Sequence, residues 1–346
     1  MPDAGSSPTD RAGGEMPSFI QDEEFWYSDG TVILLARNEL AFRVHRGVLA
    51  DHSTVFHDLF VVPQPPEEAC HAGCPIVTLS DAPDELRYLL RALYHPRRYY
   101  MPDQCVSFAM VAALLRLGHK YAIDDLVSSA LSRLKTCFST SFDMYCTAIT
   151  AGGSEAMSFS SEDAMATVNL ARLIGEDANT ILPSALYTCC QLPAEVLAHG
   201  VSSGSRDVQK LSDADLERCI DARARLAALA LSSTIRRLQP TSDFPDDPVA
   251  QKEGGASCTQ AFCPSYLAAA VSRVLLGTLG LPRLSGALDS IDWFVANAVR
   301  GGLLCRVCTE SVKDQDRRER LRIWRMLPAV LGLQLETWGE ADGQKL

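Results

Sequence analysis

The sequence predicts an α+β domain followed by an all-helical region. Within the first 135 residues, three apolar segments of strand length alternate with segments whose apolar residues recur at helical spacing. After Thr136 the apolar residues recur only at helical spacing, so we expect no further strands. The predicted divisions are a disordered tail over 1–18, the α+β domain over 19–135, a helical region over 136–238, a disordered loop over 239–257 and a helical C-terminal region over 258–346.

The first two strands are predicted to form a β-hairpin with one buried face. Ser28, Asp29 and Gly30 are typical turn residues, and the β-branched run 31–36 follows them. A short polar turn then leads to 40–44, where apolar and polar residues alternate. A third strand is predicted over 76–79, so the domain should contain a small three-stranded sheet.

Helices are predicted to cover this sheet. Ser53 is a good helix N-cap, and apolar residues follow it at 55, 56, 59 and 60, the spacing of one helical face. A second helix is predicted with Pro83 in its first turn and Leu86, Leu89, Leu90 and Leu93 on its inner face, and two more are expected over 106–117 and 126–134. A small sheet needs such helices, because a few strands alone cannot bury enough apolar surface.

Composition limits the function and the compartment. The formal net charge of −11 argues against general nucleic-acid binding, which would need a basic face. No apolar run is long enough to cross a bilayer, and the first residues lack the features of a signal peptide. The twelve cysteines are therefore interpreted as thiols, and we expect an intracellular protein of the nucleus or cytoplasm.

One long string of residues resembles the signature of BTB/POZ domains. It runs from Phe42-Arg43-Val44-His45 through Leu49-Ala50 to Ser53 and Phe56, and in that family it links the second strand to the first helices. The segments 76–81 and 86–94 are similar to the family's third strand and following helix. The resemblance covers roughly a third of the chain and implies a protein-interaction module.

Family membership would imply particular partners. BTB proteins dock cullin-type ubiquitin-ligase scaffolds or form homodimers, so we expect a substrate adaptor whose helical region holds an unknown target. Many dimeric members exchange a helix and a strand that precede the hairpin, whereas the equivalent region here is short and rich in Pro and Gly. A homodimer is therefore the alternative assembly. The predicted interaction surface consists of Leu49, Val55, Phe56, Leu59, Phe60, Leu86 and Tyr94.

The remainder of the chain is similar to the helical extension of a large fungal set of BTB proteins. The similarity rests on the segments 170–187, 211–220 and 324–333. Little is known of the function of that set, so the similarity implies architecture alone.

Four cysteines in the C-terminal region predict a structural zinc site. Cys305 and Cys308 have the two-residue spacing of a zinc knuckle, and Cys258 and Cys263 form a looser pair about forty residues earlier. Zinc favours four thiolates delivered as two close pairs from separate segments. The alternative is two unrelated pairs of free thiols, and no other cofactor is expected.

A basic segment near the C-terminus offers a second functional hypothesis. Arg317, Arg318 and Arg320 belong to a helix predicted over 317–331, and together with the cysteine set they suggest a regulator that contacts DNA or chromatin. That hypothesis implies salt-sensitive DNA binding. Acidic residues interleave with the arginines, which favours a solvated, ion-paired helix face instead.

The remaining motifs do not indicate an enzyme. The stretch 200–204 has the G-x-S-x-G spacing but lacks the strand-turn-helix context that a nucleophile elbow needs. His45, His52 and His57 lack an accompanying carboxylate pair or nucleophile, and 70–74 offers at most three metal ligands in a proline-rich loop. We therefore predict no catalytic residues.

Overall fold

The computed structural model describes residues 19–62, 70–71, 73–101, 103–202, 208–239, 258, 260, 262–277, 286–335 and 338. The tail predicted over 1–18 and nearly all of the loop predicted over 239–257 lie outside these residues. The strands are β1 (Ile20–Trp26), β2 (Val32–Ala36), β3 (Leu40–Val44), β4 (Cys70–His71), β5 (Cys74–Leu79), β6 (Val106–Ser107), β7 (Met157–Ser158), β8 (Val201–Ser202) and β9 (Val208–Gln209). The helices are α1 (Arg46–His52), α2 (Thr54–Val61), α3 (Pro83–Tyr94), α4 (Pro96–Tyr99), α5 (Phe108–Lys120), α6 (Asp124–Cys137), α7 (Phe142–Ala151), α8 (Asp163–Ile174), α9 (Leu182–Gln191), α10 (Ala194–His199), α11 (Asp213–Leu238), α12 (Phe262–Leu275), α13 (Asp292–Arg300) and α14 (Arg306–Val330).

The described residues form two compact units. Unit 1 contains the described residues up to Met101 together with Arg116–Val127, and unit 2 contains residues 103–115 and the described residues from Ser128 onward. The division falls within helices α5 and α6. The domain limits predicted from the sequence remain a prediction. No helix in the described ranges is both long enough and apolar enough to span a bilayer.

Unit 1 is built on a mixed sheet with the strand order β1-β3-β2-β5-β4. Strand β2 lies at the centre, antiparallel to β3 and parallel to β5, and all five of its residues are buried. Arg37 and Asn38 have positive φ angles of 45° and 59°, as a tight hairpin turn requires. The three predicted strands correspond to β2, β3 and β5, so the small sheet with covering helices is confirmed.

Strands β1 and β4 were not predicted. Strand β1 is rich in acidic residues and pairs in parallel with β3 at the edge of the sheet. Its buried Asp22 accepts hydrogen bonds from the backbone N–H groups of Glu24 and Phe25 and pairs with Arg87 of α3 at 2.8 Å. Glu24 pairs with Arg91 at 2.6 Å, and these bonds lower the pKa of Glu24. Ion pairs across elements therefore stabilise a strand whose composition is atypical of strands.

Unit 2 consists almost entirely of helices, and the long helix α11 packs against α9, α12 and α14. The expectation of no strands after Thr136 was wrong in detail, because β7 pairs with β6 and β8 pairs with β9. Each of these strands has only two residues, which is too short to produce a periodic pattern. Helix α14 begins eleven residues before its predicted start at 317 and includes Cys308.

A buried arginine near the end of α11 links three segments of unit 2. Arg237 is only 2% exposed, and its guanidinium donates to the carbonyl oxygens of Ala287 and Asp289 at 2.9 and 2.8 Å. It also pairs with Asp316 of α14 at 3.1 Å and donates to the Ser233 hydroxyl at 2.9 Å. Burial lowers the pKa of Arg237 and raises that of Asp316, although each charge opposes the effect on the other.

Replacing Arg237 with methionine should strongly destabilise unit 2. The substitution leaves Asp316 buried without one of its cationic partners and removes the donors to two carbonyl groups. We expect Arg237→Met to lower the local free energy of unfolding by about 3 kcal/mol. Hydrogen exchange of amides in α11 and α14 would measure this loss. The control is Arg236→Met, because Arg236 is a partly exposed neighbour. If the amides of α11 and α14 were equally protected in the two variants, Arg237 would not stabilise unit 2 in this way.

Candidate functional site

Helix α2 of unit 1 begins at a buried serine that bonds in two directions. The Ser53 hydroxyl accepts a hydrogen bond from the backbone N–H of Phe56 at 3.0 Å, which caps the first turn. The same hydroxyl donates to the carbonyl oxygen of Tyr121 at 2.6 Å. The predicted N-cap is therefore confirmed, and it also ties α2 to the segment after α5.

Tyr121 holds the inner face of α2. Its ring stacks on Phe56 with 4.4 Å between ring centroids and an angle of 19° between the ring planes. Its hydroxyl donates to the buried Asp81, and Lys120 pairs with Asp81 at 2.6 Å. Burial, together with the bond to Asp81, raises the pKa of Tyr121 well above that of a free tyrosine. The position of α2 is thus set by stacking and charge-assisted hydrogen bonds together.

Three of the predicted interaction residues are core residues. Leu49, Phe56 and Leu86 are completely buried, so their side chains hold the helices in place and do not face solvent. Phe60 is half-buried, since its ring stacks on Phe56 at 5.9 Å and lies beneath the guanidinium of Arg46 at 5.3 Å. Helical periodicity could not separate these residues from surface residues, because both classes are apolar at the same spacing.

The outward face of α2 carries an aliphatic stripe. We define the outer stripe as Val55 and Leu59, which are four residues apart and share a face of α2, together with Val62, the extended residue that directly follows the helix. Val55 is 41% exposed, Val62 is 59% exposed and Leu59 is half-buried. Val61 beside the stripe is 68% exposed. Val61 and Val62 were not predicted as surface residues, although the proline-rich segment after them indicates that α2 ends there.

Tyr94 belongs to an aromatic cluster at the junction between β3 and α1. Its hydroxyl accepts a hydrogen bond from the backbone N–H of His45 at 2.8 Å, and its ring stacks on Tyr27 at 5.4 Å. Burial raises the pKa of Tyr94. The imidazole of His45 lies 3.3 Å from Asp29. His45 thus occupies a structural position at the start of α1.

In unit 2 the four predicted zinc ligands lie together. The sulfur atoms of Cys258, Cys263, Cys305 and Cys308 are all within 4.8 Å of one another, and those of Cys258 and Cys305 are 3.8 Å apart. Cys263 is fully buried and the other three are partly buried. All twelve cysteines of the chain are free thiols. The structure therefore brings together two pairs that are about forty residues apart in sequence.

Helix starts and backbone amides surround these sulfurs. Cys263 lies in the first turn of α12, and Cys305 is the N-cap of α14. The backbone N–H of Cys305 donates to the Cys263 sulfur at 3.3 Å, and that of Cys308 donates to the Cys305 sulfur at 3.5 Å. The second bond helps to lower the pKa of Cys305 to about 7, whereas burial raises the pKa of Cys263 and Cys308.

Most arginines of α14 form ion pairs with carboxylates. Arg317 makes two 2.7 Å hydrogen bonds to Asp143, which lower the pKa of that carboxyl group. Arg318 pairs with Asp314 at 2.7 Å, and Arg320 pairs with the buried Asp316 at 2.8 Å. Arg322 pairs with Glu319 at 3.0 Å. The acidic residues interleaved in the sequence thus neutralise much of the charge of this helix.

The weaker motifs do not converge on a site. Cys74 is buried and donates to the carbonyl oxygen of Gly30, whereas Cys70 is exposed. His52 and His57 are both exposed on the surface of unit 1. Of the stretch 200–204, only 200–202 lie within the described residues, and 201–202 belong to the short strand β8.

The family model of the BTB/POZ domain matches residues 24–137, about a third of the chain. The matched segment contains the hairpin, the helices α1 to α3 and the strand β5 described above. This segment is a BTB/POZ domain. BTB/POZ domains are typically protein-interaction modules and not enzymes. Comparison with curated proteins finds no match to the chain.

Replacing the capping serine should loosen α2 of the BTB/POZ domain. Ser53→Ala removes the N-cap and leaves the Tyr121 carbonyl without this donor, so we expect a loss of about 1 to 2 kcal/mol of stability. Thermal unfolding and hydrogen exchange of the α2 amides would measure it. The exposed neighbour gives the control, Thr54→Ala, which should change little. Unchanged exchange in Ser53→Ala would show that the cap does not hold α2.

Proposed function

We propose that the chain is a substrate adaptor whose BTB/POZ domain binds a cullin-type ubiquitin-ligase scaffold through the outer stripe of α2. The BTB/POZ match supports a protein partner, because domains of this class mediate interactions between proteins. The single observation that favours α2 is the group of exposed or half-buried aliphatic side chains on this helix and directly after it, because the inner face of the helix is fixed by Tyr121 and Ser53.

The outer stripe has the composition expected of a small interface. Val55, Leu59 and Val62 supply the apolar centre, and the exposed Thr54 and Asp58 supply a polar border. Removing a valine side chain from water contributes on the order of 1.5 kcal/mol. A helical scaffold that covers this stripe would therefore gain binding energy from side chains that face solvent in the isolated chain.

The helical unit would hold the target in this proposal. It is mostly α-helical, and it presents exposed apolar side chains on several helices, among them Met144, Ile220 and Trp293. These side chains support a second protein-binding surface, separate from the one on α2. The chemistry of the target is left to experiment.

A homodimer is the alternative assembly for the BTB/POZ domain. Members that exchange a strand between partners need that strand to be available, whereas β1 pairs with β3 of its own chain and is tied to α3 by Arg87 and Arg91. These intrachain contacts favour a domain that does not exchange β1. Light scattering of the chain alone would report its oligomeric state.

A regulator that contacts DNA through α14 is the less favoured function. Arg317, Arg318 and Arg320 are held by carboxylates within 2.8 Å, and a phosphate contact would have to break those pairs. The net charge of −11 adds a general repulsion from nucleic acid.

Calorimetric titration of the full chain with a cullin N-terminal domain tests the adaptor proposal. We expect binding of the wild-type chain and at least a tenfold weaker affinity for the Val55→Asp/Val62→Asp variant, because two charges would replace exposed aliphatic groups that the partner would cover. The matched control is Ile220→Asp, since Ile220 is 57% exposed on α11 of unit 2. This control should bind like the wild type.

Two outcomes would contradict the proposal. Absence of binding by a folded wild-type chain would remove the cullin role and leave an interaction module for another protein. Equal affinities of the wild-type chain and the Val55→Asp/Val62→Asp variant would place the contact away from the outer stripe. Circular dichroism of each variant would establish that the substituted chains are folded.

A further inference from the structure

We propose that Cys258, Cys263, Cys305 and Cys308 bind one zinc ion that stabilises unit 2. The proposal is independent of the function assigned to the BTB/POZ domain, because all four residues belong to the helical unit. It depends on the distances between the sulfur atoms, on their surroundings and on the donor chemistry.

The spacing of the sulfurs fits a single tetrahedral ion. Zinc–thiolate bonds of about 2.3 Å in a tetrahedron place neighbouring sulfurs about 3.8 Å apart. The sulfurs of Cys258 and Cys305 are 3.8 Å apart, and all four sulfurs lie within 4.8 Å of one another. The ion would fit among the sulfurs with small adjustments of their side chains.

Two other uses of four cysteines fit less well. A disulfide would need a sulfur pair at about 2.0 Å, and all four cysteines are free thiols. An iron–sulfur cluster would place several iron and sulfide ions between the four thiolates, which requires wider spacing than a maximum of 4.8 Å. A mononuclear centre is therefore favoured, and among mononuclear ions four thiolates in a tetrahedron favour zinc.

The surroundings provide the support that thiolate ligands need. Backbone N–H groups already donate to the sulfurs of Cys263 and Cys305, and such bonds orient and stabilise negatively charged sulfur. The N-terminal ends of α12 and α14 both meet at the cluster, and their dipoles favour negative charge there. The four thiolates are thus compensated in part by the fold itself.

The centre would be structural and not catalytic. Four thiolates fill all positions of a tetrahedral ion, so no position remains for a water molecule or a substrate. The ligands join residue 258, the start of α12 and the start of α14, next to a hydrophobic core that includes Leu267, Phe294 and Leu304. An ion at this point would connect segments that are separated by up to fifty residues in sequence.

Metal analysis of the full chain, purified under reducing conditions, tests the proposal. We expect one zinc ion per chain in the wild type and loss of that zinc in Cys258→Ser and in Cys308→Ser. The matched control is Cys146→Ser, because Cys146 is partly buried in the same unit but lies outside the cluster. This control should keep its zinc.

Cobalt provides a second measurement that does not depend on how the variants fold. After removal of metal with a chelator, the wild-type chain titrated with Co²⁺ should develop the intense visible bands and sulfur-to-cobalt charge transfer of tetrahedral thiolate coordination. Added zinc should abolish these bands, because zinc binds thiolate sites more tightly than cobalt does.

Several results would overturn the proposal. Wild-type chain with reduced thiols that contains no stoichiometric metal and gives no thiolate–cobalt spectrum would show that the cysteines are ordinary thiols. Full zinc retention in Cys258→Ser or Cys308→Ser would exclude the four-cysteine centre. Iron with inorganic sulfide in the purified chain would replace the zinc ion with a cluster.

Discussion

The burial of strand β2 on both faces is the constraint on which unit 1 depends. All five residues from Val32 to Ala36 are shielded from water, so the sheet needs cover on each side. Strand β2 pairs in parallel with β5, and a parallel pair cannot be joined by a tight turn. The connection between them contains β3 and the helices α1 and α2, which provide part of that cover. The exposed outer stripe is therefore a consequence of the sheet, because α2 buries Phe56 inward and turns Val55 outward.

Unit 2 is held by polar cross-links in addition to its apolar core. Arg237 joins the end of α11 to α14 and to the segment before α13, and its guanidinium is buried. The cysteine cluster joins residue 258 and the starts of α12 and α14. The two sets of contacts adjoin the same hydrophobic core, which includes both Leu238 and Cys263. Helices that are far apart in sequence are thereby brought into defined positions, and the proposed zinc ion would strengthen one of the two links.

Much of unit 1 could be predicted from the sequence, because its central strands are apolar and its signature residues are closely spaced. The edge strand β1 could not, since Asp22 and Glu24 make it resemble a polar loop and their arginine partners lie more than sixty residues away. The start of α14 was also missed, because the polar residues after Cys308 conceal a helix whose buried Asp316 and Glu319 find cationic partners. The proximity of the four cysteines was predicted from their spacing in the sequence. The exposure of individual apolar residues could be determined only from the tertiary structure.

The proposed adaptor role requires that the outer stripe of α2 contacts the cullin N-terminal domain. Hydrogen exchange of the full chain, measured with and without the cullin N-terminal domain, would locate the contact because it measures amide protection in every segment in one experiment. We expect slower exchange of the amides in α2 on binding, with little change in α11 of unit 2. Protection confined to unit 2, with α2 unchanged, would contradict it.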